Sequence, residues 1–99
     1  MRLREIAHSR TGDKGNISNI SLIAYKPEDY DLLKERVTVE KVGKWFEGIV
    51  KGNIERYELP NIQALNFVMH DALAGGVTRS LAIDTHGKSL SSFLLDMEI

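Results

Sequence analysis

The sequence predicts an α+β domain: a small, mainly antiparallel sheet of about four strands with helices on one face. Two observations carry this reading. Segments in which apolar residues alternate are interleaved with segments in which they recur every three to four positions. The 99 residues leave room for one core, since domains usually run to about 100–200 residues. Apolar types make up 42% and charged types 27%, an ordinary globular mixture. No linker, repeat or low-complexity tract divides the chain, so residues 1–99 are read as one domain.

Arg2 to His8 reads as a short strand, with Ile6 and His8 on one side and Leu3, Glu5 and Ala7 on the other. Arg10-Thr11-Gly12-Asp13-Lys14-Gly15-Asn16 then reads as a loop, because Gly, Asp and Asn cluster between two apolar runs. Residues 17–25 form a second strand in which Ile20, Leu22 and Ala24 alternate with Asn19 and Ser21. Pro27-Glu28-Asp29 opens a helix: Pro suits the first turn and the acids suit the positive end of the dipole. Tyr30, Leu33 and Val37 supply its apolar side.

Thr38 fits an N-cap, with Val37 and Val42 placed as a hydrophobic staple around it. Val39, Val42, Trp45, Phe46 and Ile49 keep helical spacing, and Gly48 stops the turn. Ile54 to Leu59 is a third strand, polar on one face through Arg56 and Glu58. Pro60-Asn61 starts another helix with the stripe Ile62, Leu65, Val68, Met69 and Leu73, closed by Gly75-Gly76. Val77 to Ile83 is a fourth strand. At the C-terminus Leu90, Phe93, Leu94 and Met97 fit a helix, whereas Phe93, Leu95, Met97 and Ile99 fit a strand; a turn over Asp84 to Gly87 favours a helix from about Lys88. A ferredoxin-like sandwich is the simplest arrangement of this order.

Thirteen basic against fourteen acidic residues give a net charge of −1. Nucleic-acid binding calls for a basic excess, so it is not expected. Without cysteine there is neither a disulfide nor a thiolate metal site, which fits a reducing compartment. Arg2-Leu3-Arg4-Glu5 carries no apolar signal segment, and runs such as Leu22-Ile23-Ala24-Tyr25 fall far short of the ~18–20 residues of a membrane span. The expectation is a cytoplasmic protein without membrane association.

The densest chemical signal is the glycine segment. Gly12 and Gly15 permit a tight turn with exposed N–H groups, and Arg10 and Lys14 add positive charge near Asp13 and Asn16: together an anion nest for a phosphate or carboxylate. The spacing is not that of a phosphate-binding loop opening a helix, and a glycine-shaped turn with solvated charges is the reading the residues alone favour. Arg79 shares the apolar side of its expected strand with Val77, Leu81 and Ile83, so it needs a carboxylate, a ligand or a route to water. His8 ends its strand beside the glycine segment and joins the candidate cleft; His70 and His86 do not, and the three lack metal-ligand spacing. No serine lies in a nucleophile elbow, and no nucleophile–base pair stands out. No cofactor or metal is expected.

The run Ile6-Ala7-His8-Ser9-Arg10-Thr11-Gly12-Asp13-Lys14-Gly15-Asn16 resembles the C-terminal domain of AtuA-type proteins, which are associated with acyclic terpene utilisation. Tyr57-Glu58-Leu59-Pro60-Asn61, Leu65-Asn66-Phe67, Gly75-Gly76-Val77-Thr78-Arg79-Ser80-Leu81 and Asp84-Thr85-His86-Gly87-Lys88 fit the same family, so the resemblance spans nearly the whole chain. It implies a ferredoxin-fold unit, usually fused behind a much larger domain, and a place in terpene or branched acyl-CoA breakdown.

Two readings follow. The first is an accessory subunit, without catalysis of its own, that docks on a larger AtuA-like chain. The second is a small-ligand module or enzyme that holds a phosphate, carboxylate or acyl-CoA through His8, Arg10, Gly12, Asp13, Lys14, Gly15, Asn16 and Arg79. Pairing of two copies through a sheet face or edge is also compatible with the pattern.

Overall fold

A computed structural model describes residues 1–14, 17–71 and 88–99 of the chain. The N-terminal segment is a single 3-10 turn, Leu3–Glu5, and not the expected strand. The Glu5 carboxylate accepts the Arg2 N–H at 2.9 Å and closes the turn. Leu3 is completely buried, and its N–H donates to the carbonyl of Met97 at 3.0 Å.

Strand β1 (Ala7–Lys14) pairs antiparallel with β2 (Ile17–Ala24) over its whole length, from Ala7 opposite Ala24 to Lys14 opposite Ile17. The segment Arg10 to Lys14, expected as a loop, is therefore strand. The turn-forming residues lie at the end of a long hairpin, and the ladder with β2 outweighs their local preference. A Cβ on Gly12 would meet nothing within 4 Å, so no close approach demands glycine there.

Helix α1 (Pro27–Arg36) begins with its proline in the first turn and buries Tyr30 and Leu33. Thr38 caps α2 (Val39–Trp45), its hydroxyl accepting the Lys41 N–H at 3.1 Å, and the flanking Val37 and Val42 are both fully buried. Past α2 the chain reverses at Gly48, whose φ of +88° suits glycine. Strand β3 (Ile54–Leu59) coincides with its expected limits.

The helix expected from Pro60 is absent. Pro60–Ile62 forms one 3-10 turn, Gln63 adopts a left-handed conformation at φ 51°, and Ala64–Met69 is strand β4. β4 pairs antiparallel with both β2 and β3, giving the order β1-β2-β4-β3. The strand expected at Val77 to Ile83 lies outside the described residues; the fourth strand of this sheet is Ala64–Met69. Helix α3 (Lys88–Leu95) confirms the helical reading of the C-terminus, burying Leu90 and Leu94.

Ile20, Leu22, Leu65, Phe67 and Met69 from one face of the sheet form a single core with Leu33, Val42, Phe46, Leu90 and Leu94 from the three helices. The architecture is the α+β, ferredoxin-like arrangement of an antiparallel sheet with helices on one side. The other face of the sheet carries none of the described helices. Among the described residues, no helix is long and apolar enough to cross a membrane.

Candidate functional site

Alternation along β1 sorts the sequence-predicted residues. Ser9 and Thr11 share the helix-covered side with Ala7, whereas His8, Arg10 and Gly12 lie on the outer face. Asp13 and Lys14 pair through their backbones with Ser18 and Ile17. Gly15, Asn16 and Arg79 lie outside the described residues. Of the anion nest expected at Arg10 to Asn16, the first five residues are extended strand and not loop, and Arg10 and Thr11 present their side chains to opposite faces.

The outer face has a polar centre. The Asn66 side-chain amide donates to Asn19 Oδ1 at 2.7 Å and Ser21 Oγ at 2.9 Å, bridging β4 to β2. Tyr57 donates its phenol to Glu55 at 2.6 Å, and His70 Nε2 lies 3.4 Å from the same carboxylate. The Tyr57 hydrogen bond, with help from His70, holds the Glu55 carboxyl below its usual range, and the same bond raises the Tyr57 phenol. His70 sits in a turn after β4, not within the helix expected from Pro60. One end of the face is apolar: the His8 ring stacks on Tyr25 at 5.3 Å, and Ile23 lies opposite His8 in the ladder. Leu59 and Ile62 are exposed on the neighbouring strand end, and Ala64 between them is fully buried although it points away from the core.

At the β1 edge, Ser9, Arg10 and Thr11 line a cleft of about 610 Å³ with Ser91 and Ser92 of α3. Ser9 Oγ donates to the Ser91 carbonyl at 3.1 Å, tying the strand to the helix. Thr11 Oγ1 is buried without a hydrogen-bond partner. Arg10 is exposed and, among the described residues, faces no carboxylate within 4.0 Å. Ser9, Thr11, Ser91 and Ser92 were missed as site residues. Their signal is the alternation Ser9-x-Thr11, which becomes visible only once the segment is known to be strand.

The residues match the family model for the AtuA ferredoxin-like domain over positions 1–99. The chain belongs to the AtuA ferredoxin-like domain family. No curated protein and no solved structure matches it. Within this AtuA ferredoxin-like domain two of the described candidate side chains are engaged by neighbours. Ser9 is committed to a carbonyl, and His8 is engaged by a tyrosine ring. Among the described residues no three His, Asp or Glu side chains gather to hold a metal.

Proposed function

We propose that this domain is a docking module, without catalysis of its own, that seats on a larger AtuA-type chain acting in acyclic terpene or branched acyl-CoA catabolism. The observation behind this reading is the one-sided sheet. All three described helices pack on one face, while the other presents Leu59 and the His8-stacked Tyr25 beside a bridged polar centre, with Ile62 exposed in the turn that follows β3. Exposed aromatic and aliphatic anchors beside satisfied polar groups are the composition of a protein interface. The choice of an AtuA-type partner is supported by the chain's membership of the AtuA ferredoxin-like domain family.

Co-expression with a large AtuA-type chain tests this directly. A stoichiometric complex that is lost in Leu59→Asp and Ile62→Asp supports the proposal. A domain that elutes alone or only as a homodimer, or a complex indifferent to both substitutions, overturns it.

The β1–α3 cleft favours a second reading, in which an anionic group such as a phosphate, a carboxylate or an acyl-CoA binds near Arg10. A guanidinium and a buried Thr11 hydroxyl, both without a partner among the described residues, motivate it. A ligand present at about 100 times its dissociation constant would add about 2.7 kcal/mol of stability. A coenzyme A thioester should then raise the melting temperature of the native chain but not of Arg10→Ala; no shift with thioesters or inorganic phosphate refutes this reading.

A further inference from the structure

Helix α2 places Lys41, Lys44 and Trp45 on one face, because positions three and four apart coincide. The Trp45 ring is fixed there: its Nε1 donates to the Phe93 carbonyl at 2.8 Å, and it stacks on Phe93 with centroids 4.9 Å apart. Facing it, Met97 and Glu98 are anchored by the Leu3–Met97 hydrogen bond and by a bridge pairing Arg2 with Glu98. These five residues line a cleft of about 270 Å³ with an apolar floor of indole and thioether.

The charges at its mouth are unequal. Glu98 has Arg2 Nε at 3.7 Å. Lys41 and Lys44 face no carboxylate within 4.0 Å among the described residues. Lys41 is half-buried and Lys44 exposed, so both side chains run along the cleft wall with their charged ends at its mouth.

We propose that this cleft binds a short aliphatic carboxylate, its tail against Trp45 and Met97 and its head at Lys41 and Lys44. An inorganic anion would leave the indole wall unused, and a neutral apolar ligand would leave both ammonium groups unmatched. The volume lies just below the ~300–1,000 Å³ of most small-molecule sites, which suits a short chain and excludes a nucleotide-sized cofactor. The site is separate from the outer sheet face, so failure of the docking proposal leaves it intact.

Trp45 is the chain's one tryptophan, so intrinsic fluorescence reports this cleft alone. Octanoate at neutral pH should change the emission saturably. Its uncharged analogue 1-octanol should bind about five- to tenfold more weakly, since two partly exposed ion pairs each contribute modestly. Lys41→Gln combined with Lys44→Gln should weaken octanoate by the same factor, leave octanol unchanged and preserve the urea midpoint. No saturable change with octanoate overturns the proposal. So does octanoate binding that equals octanol and ignores the lysine substitutions.

Discussion

Arg56 allows two electrostatic effects to be separated in one side chain. It lies opposite Phe67 in the β3–β4 ladder and so points to the helix-covered face. Its Nη1 donates to the carbonyls of Lys34 at 2.9 Å and Val37 at 3.0 Å, both at the C-terminal end of α1. Its Nη2 meets Glu58 Oε2 at 3.0 Å. Hydrogen bonds from a charged donor contribute about 1.5–3 kcal/mol each, and a cation at a helix C-terminus adds about 0.3–1 kcal/mol. These contributions overlap, and the freed carbonyls regain some water because the Arg56 side chain is 20% exposed. Arg56→Gln should therefore cost about 2–3 kcal/mol.

The ion pair is the smaller effect. Glu58 is 50% exposed, and such pairs contribute about 0–1 kcal/mol. Glu58→Gln should stay below that ceiling. Urea melts with a shared m-value give both differences; by heat, each kcal/mol appears as about 4–8 °C in a domain this small. Arg56→Lys should recover part of the loss, because one ammonium cannot hold both carbonyls and Glu58 as Nη1 and Nη2 of the planar guanidinium do. The cap is refuted if Arg56→Gln costs less than about 0.5 kcal/mol or if Glu58→Gln costs as much as Arg56→Gln.

Thr38→Ala removes the α2 cap and should cost about 1 kcal/mol in the same melts, whereas Thr38→Ser should cost only a few tenths. Gly52→Ala would place a Cβ 2.6 Å from the His70 carbonyl oxygen, backbone that cannot swing aside, and should destabilise by about 1–3 kcal/mol. The Tyr57 phenol should titrate above its usual value in an ultraviolet absorbance titration and return towards it in Glu55→Gln. Because the Glu55 pKa is lowered by folding, its contribution to stability is present above the ordinary carboxylate range and fades as pH falls through the lowered value; the raised Tyr57 contributes below its unfolded pKa and fades as pH climbs through the raised one. In Tyr57→Phe the tyrosine effect should disappear from the pH-stability profile and the Glu55 effect should shrink, since only His70 still favours that carboxylate.

Elements with a local physical signature were legible in the sequence. The Pro27 start, the Thr38 cap with its Val37–Val42 staple, and the alternation of Ile20, Leu22 and Ala24 each depend on neighbours in sequence. The segment 64–69 was ambiguous, because Leu65, Val68 and Met69 fit a helical stripe while Leu65, Phe67 and Met69 fit alternation. Pairing on both sides with β2 and β3 decides for strand, and no local signal contains that information. The polar side of β3 misleads for the same reason. Arg56 and Glu58 look like a solvent face, yet they turn inward at a sheet margin where the end of α1 supplies carbonyls. The segment 10–14 carries turn-forming residues that hydrogen-bond as strand once β2 lies alongside.

That last difference changes the chemistry as well as the fold. As a loop, Arg10 to Asn16 would converge on one anion; as strand, Arg10 and Thr11 diverge and meet again only where α3 closes the edge. Unmatched charge then becomes the more useful guide to function. Arg2, Arg4, Lys34, Arg36 and Arg56 all have carboxylates within reach. Arg10, Lys41 and Lys44 have none among the described residues, and these three line the two clefts. Lys26 and Lys51, also without a carboxylate among those residues, line neither cleft. In a chain whose net charge is only −1, cations beside concave surfaces and without a carboxylate among the described residues are where the two ligand proposals meet their tests.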